Sequence, residues 1–265
     1  MGTGPVADRR RPKMCLRRRG GIIGHMSSET ALKGLVVCLD DVDVDEHVGA
    51  VEVLIQEGFR NFALPAAGAD LEEVVEIFSA RARFGAHGVR GPEHVGRLVA
   101  AGGSFALFDL PHPEGARVAV DAGVTAYAQA MTPSEIRGVL DLGFAGAMLF
   151  PADVVGHVMA KHLATMGLAD KVVPRGGVGA FAAGEWLKVG APAVCVDATL
   201  LGDALSGGDL GALRDRSASF IQVQKREEKA EEQRVARATR EAERKARLAA
   251  RQAEQAEASE QHPAD

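Results

Sequence analysis

The chain has 265 residues, 46% of them hydrophobic, so a sizeable core is within reach; 31 glycines with one Trp and one Tyr point to tight turns and aliphatic packing. The formal net charge is −5, yet Arg9, Arg10, Arg11, Lys13, Arg17, Arg18 and Arg19 face only Asp8 near the start, so the body is acidic and a nucleic-acid-binding surface is not expected there. No apolar run reaches the ~18 residues of a membrane span, the basic start lacks the apolar stretch of a secretory signal, and Cys15, Cys38 and Cys195 are too few and too scattered for a disulfide framework, so a cytoplasmic protein is expected.

Three regions follow one another. Residues 1–30 read as a disordered basic leader, within which Met26 is a second candidate start. Residues 31–216 alternate short apolar runs with helical spacing. Residues 217–265 read as a charged helical tail.

The first run, Gly34–Leu39, ends in Asp40 and Asp41. Val48, Val51, Val53, Leu54 and Ile55 then keep helical spacing up to Gly58, a residue suited to a helix C-terminus. The strands Asn61–Leu64, Arg83–Ala86, Ser104–Phe108, Val124–Ala128, Ala145–Phe150, Lys171–Pro174 and Pro192–Asp197 come next. Between them lie helices at Leu71–Arg81, Pro92–Ala101, through Val118, Pro133–Leu142, Val154–Met166 and Val178–Val189. Thr132 supplies an N-cap and Pro133 a first helical residue. Eight strands with helical crossovers predict a parallel sheet, closed as a single (β/α)₈ TIM barrel with a C-terminal charged α-helical extension. The competing open, doubly wound sheet calls for a glycine-rich loop after the first strand, where this chain has Leu39-Asp40-Asp41.

A barrel of this kind carries its site at the C-terminal ends of the strands. The most specific feature there is Pro174-Arg175-Gly176-Gly177-Val178. Paired glycines between strand and helix let backbone N–H groups approach an anion, and Arg175 adds positive charge. Arg175, Gly176 and Gly177 are therefore the candidate anion- or phosphate-binding residues, with a plain tight turn as the other reading. Asp153, in Phe150-Pro151-Ala152-Asp153, reads as a helix cap. His87, Asp109 and His112 stand at strand ends and have metal-ligand chemistry, but rim and turn roles account for them as well. No metal, no cofactor and no nucleophile–base pair is expected.

Gly85-Ala86 after strand 3, Leu149-Phe150-Pro151-Ala152 after strand 6 and Pro174-Arg175-Gly176-Gly177-Val178 after strand 7 resemble, in order and spacing, the 2-keto-3-deoxy-6-phosphogluconate (KDPG) / 4-hydroxy-2-oxoglutarate aldolases over residues 34–216. The resemblance implies a homotrimeric barrel without metal. It also implies a strand 6 lysine that forms a Schiff base, a strand 2 glutamate that moves protons, an arginine for the substrate carboxylate, and glycine pairs after strands 7 and 8 for the phosphate. At those positions this chain has Met148, Ala63, Ala67 and, after strand 8, Asp197-Ala198. A thioether forms no imine, a methyl group carries no proton, and Asp197 opposes a phosphate.

From Lys225 to Glu260 the chain is nearly all strong helix formers, with Glu231–Arg234, Glu241–Lys245 and Glu243–Arg247 at pairing distance. Such a helix spans roughly 50–60 Å at 1.5 Å per residue. Val235 and Leu248 are too sparse for a coiled-coil seam. The tail reads as a solvated helix, with partner docking as a second reading and nucleic acid disfavoured by its mixed charge. Phe220, Ile221 and Val223 are expected where it leaves the body. The functional expectation is a degenerate aldolase-like barrel that binds a small anion or serves as a scaffold with a partner-facing tail. The alternative is a lyase acting on a 2-oxo acid or sugar-acid phosphate with altered site chemistry.

Overall fold

The computed structural model describes residues 32–261, so the expected leader lies outside the described residues. Eight strands, β1 (Gly34–Cys38), β2 (Asn61–Pro65), β3 (Arg83–Val89), β4 (Phe105–Phe108), β5 (Thr125–Ala130), β6 (Gly146–Leu149), β7 (Val172–Pro174) and β8 (Ala193–Val196), alternate with helices. Their spatial order is β7-β6-β5-β4-β3-β2-β1-β8. All seven ladders are parallel, and the two end strands, β7 and β8, lie against each other. The sheet is thus a nearly closed (β/α)₈ barrel and not an open sheet.

The period of two along each strand sorts the core into two layers. Leu35 and Val37, Phe62 and Leu64, and Val194 and Val196 point outward to the helices. Val36, Cys38, Ala63, Phe105, Leu107, Tyr127, Met148, Val173, Ala193 and Cys195 fill the lumen. Burial of both faces explains why the strands read as continuous apolar runs rather than alternating ones.

The helices are α1 (Val44–Glu57), α2 (Leu71–Phe78), α3 (Pro92–Ala100), α4 (Pro113–Asp121), α5 (Pro133–Asp141), α6 (Ala152–Val155), α7 (Val158–Thr165), α8 (Ala180–Lys188), α9 (Ala198–Leu201) and α10 (Leu210–Gln261). Gly58 closes α1 at φ 114°, and its N–H reaches the carbonyls of Leu54 and Ile55. Thr132 and Glu135 form a complete capping box at the start of α5.

Some boundaries differ from those read in the sequence. β3 runs on to Val89, so His87 and Gly88 belong to the strand rather than to a loop after it. The helix expected over Val154–Met166 is broken at Gly156, which takes φ 69° and separates α6 from α7. The tail helix begins at Leu210 and continues without a break through Phe220, Ile221 and Val223. Leu213, Phe220 and Ile221 are buried where α10 packs on α1 and α8. The start of α10 therefore supplies the last outer helix of the barrel, because α9 is a single short turn.

Candidate active-site mouth

The C-terminal strand ends carry Asp40, Asp41, His87, Asp109, Gln129, Arg175 and Asp197. Arg175 follows β7 and His87 lies on β3, so they stand on opposite sides of the lumen. They meet across it: Arg175 Nη2 lies 3.2 Å from His87 Nδ1, and His87 Nε2 lies 2.8 Å from the Leu39 carbonyl oxygen. A carbonyl only accepts, so Nε2 carries the proton and donates, and Nδ1 accepts from Arg175. Burial, followed by the adjacent Arg175 charge, pushes the His87 pKa down to about 4. His87 is accordingly neutral at pH 7 and acts as a half-buried acceptor.

The two glycines after Arg175 have clear steric reasons. Gly176 and Gly177 take φ 93° and 65°. A Cβ on Gly176 would stand 3.0 Å from the Phe150 ring, and one on Gly177 2.6 Å from Asp153 Oδ2. The β6 and β7 turns are also stitched together: the Ala152 and Asp153 N–H groups donate to the Arg175 and Gly176 carbonyls at 2.8 and 3.1 Å. Pro151, not Asp153, occupies the cap position of α6. Asp153 instead sits in the first turn and packs over Gly177.

The anion nearest the turn is internal: the Asp197 carboxylate lies near Arg175 and the backbone N–H groups of Gly177 and Ala198. Its burial holds it above the ordinary aspartate range, despite the pull of Arg175 and the two N–H groups. Arg175 Nε is buried with no hydrogen-bond partner. A carboxylate of the protein thus stands beside the turn, and one arginine N–H remains open.

His87, Asp109 and His112 do not converge. His112 Nδ1 accepts from the Gly115 N–H at 3.0 Å and caps α4, Asp109 pairs with Arg90 at 3.7 Å, and His87 is engaged as described. Among the described residues no three His, Cys, Asp or Glu side chains are grouped to hold a metal.

Two features of the mouth were not legible in the sequence. The Arg175–His87 bond joins strands far apart in the chain, and no spacing announces it. Cys38 and Cys195, far apart in the sequence, are set on neighbouring strands by the pairing of β1 with β8. The inward register of both strands was the one available signal.

The family model for KDPG and KHG aldolase matches residues 29–214. The chain belongs to this family. Among solved structures it is similar to a KDPGal structure, with a TM-score of 0.65 and 22% identity over 74% of this chain and 96% of that one. A KDPG aldolase from Legionella pneumophila, with pyruvate captured as a covalent carbinolamine, gives 0.62 and 18% over 72% and 95%. A cube-shaped cage designed by fusing symmetric oligomeric domains gives 0.66 and 22% over 86% and 85%. No curated protein matches the chain. At these identities the structural likeness concerns the fold.

The position that the resemblance assigns to the Schiff-base lysine is Met148, at the centre of β6 and 1% exposed in the lumen. The glutamate position is Ala63, also buried there. Every described lysine lies elsewhere and is exposed: Lys33 at the foot of β1, Lys171 just before β7, and Lys161, Lys188, Lys225, Lys229 and Lys245 on outer helices.

Proposed function

We propose that this family member performs no Schiff-base aldol chemistry and serves as a binding and scaffolding barrel with a partner-facing helical tail. The observation that carries the reading is Met148 in the lumen together with the exposure of every described lysine. A carbinolamine such as the one captured in the Legionella enzyme needs an unprotonated amine beside the ketone, and a thioether supplies none.

The ligand class follows from the charges of the mouth. Arg175 offers one buried, unpartnered N–H, while the Asp197 carboxylate stands near the Gly177 N–H and opposes a dianion. A small monocarboxylate fits these groups better than a phosphate ester. Val158 and Phe181, 54% and 70% exposed, flank His157, whose ring meets Phe181 edge-on at 5.2 Å. These exposed side chains suit a contact surface of the homotrimer that the family resemblance implies.

Borohydride reduction in the presence of pyruvate tests the central statement. The intact mass is expected to stay unchanged. A gain equal to one reduced pyruvate on a lysine would overturn the reading.

A further inference from the structure

The lumen also holds a pair of thiols that the reading above leaves unused. Cys38 ends β1, Cys195 lies in β8, and the register sets Val36 opposite Cys195. Cys38 is therefore offset from Cys195 by two residues along a neighbouring strand. An even offset turns both side chains to the same face, here inward, where they are 2% and 0% exposed. Both thiols belong to one apolar cluster of the lumen, and each shifts the other's protonation, Cys38 downward and Cys195 upward. Val36, Ala63, Leu107 and the thioether of Met148 belong to the same apolar cluster. Arg175, Asp197 and Asp40, on the mouth side, are close enough for their charges to act on Cys38.

A disulfide suits this arrangement poorly. Two residues along a strand and one strand across place the Cα atoms about 8 Å apart, beyond the roughly 4.4–6.8 Å that a disulfide closes. An ion set between the sulfurs removes the mismatch. Zinc calls for four ligands, and no third His, Cys, Asp or Glu joins the pair among the described residues. A soft ion satisfied by two thiolates fits a dry lumen lined with sulfur and hydrocarbon.

We propose that Cys38 and Cys195 form a two-sulfur site for a soft monovalent cation of the copper(I) class, entered through the barrel mouth. In the binding step two S–H bonds break, two copper–sulfur bonds form, and two protons leave to solvent. No electron is transferred, and the product carries one net negative charge beside Arg175. Cys38 gives up its proton the more readily, because Cys195 and Arg175 hold it below the ordinary thiol range while Cys38 and burial push Cys195 well above it. The ion displaces the second proton, as metals do at thiol sites.

The test uses the full chain with Cys15→Ser, which removes the remaining thiol, in anaerobic competition with a coloured copper(I) chelator. One ion per chain is expected to leave the chelator. Cys38→Ser or Cys195→Ser, added singly, is expected to weaken binding at least 100-fold. Equal binding with either serine, or no withdrawal by the Cys15→Ser chain, would overturn the site. Should a serine variant fail to fold, X-ray absorption of the copper-loaded Cys15→Ser chain decides. Sulfur neighbours alone are expected, and nitrogen or oxygen neighbours count against the proposal.

Discussion

His87 shows how burial, with the Arg175 charge beside it, makes one side chain of the mouth pH-sensitive. The folded pKa of His87 is lowered to about 4, whereas an unfolded histidine titrates near 6.5. Between those values the unfolded chain binds the proton and the folded chain does not, so stability rises with pH across that window. The contribution is complete above about pH 6.5 and is lost as the pH falls toward 4. At about 1.4 kcal/mol per unit over about 2.5 units, the full loss is on the order of 3 kcal/mol. Unfolding by urea at pH 7 and pH 4.5 should show this drop for the wild type. His87→Asn, which keeps a polar side chain without the titration, should lose less over the same interval, and equal losses would remove His87 as the cause. Asp197 makes the complementary case. With its carboxylate gone, the charge beside the Gly177 N–H that opposes a dianion is absent. Asp197→Ala is expected to bind inorganic phosphate at least tenfold more tightly than the wild type in calorimetry. Unchanged binding would mean that the Gly177 N–H is not an anion donor.

Among the elements, legibility in the sequence followed the range of the forces involved. α5 was readable to the residue at its start, because Thr132 and Pro133 are local signals, and the structure shows the Thr132 side chain accepting from the Glu135 N–H at 3.3 Å. The barrel itself was readable for the same reason: burial on both faces of each strand leaves continuous apolar runs. β3 was read too short because its extension through His87 is set by pairing, Pro65 with His87 and Val89 with Phe108, and not by its own residues. The break at Gly156 was missed because a lone glycine within helical spacing does not announce a positive φ. The capping box allows a direct check. Thr132→Ala removes the cap from an exposed helix end and should cost about 1 kcal/mol, read as a lower urea midpoint with an unchanged slope. A change beyond about 3 kcal/mol would mean that α5 is held by more than its cap.

At the scale of the molecule, α10 is one helix with two roles, and the division lies inside it rather than at its start. Its first turns belong to the barrel: Phe220 and Ile221 are 4% and 8% exposed, and Gln224 Oε1 accepts the Leu35 N–H at 3.0 Å, tying the helix to β1. Further along it stands off the barrel foot over a cleft of about 720 Å³, lined by Leu32, Leu187, Pro192, Val235 and several glutamates. Arg234 still reaches the Lys188 carbonyl at 3.2 Å, but every side chain from 231 to 249 is exposed. Mixed charge and strong helix formers keep such a segment helical without a core to rest on. Ending the chain after residue 240 should therefore change the unfolding free energy by no more than about 0.5 kcal/mol. Ending it after residue 215 removes Phe220, Ile221 and Gln224. Two buried apolar side chains at about 1.5–3 kcal/mol each amount to a loss of at least 3 kcal/mol, a large part of the ~5–15 kcal/mol that holds a typical domain. If both truncations destabilise alike, the outer half of the helix is part of the folded body, and the view of the tail as a separate, partner-facing surface fails with it.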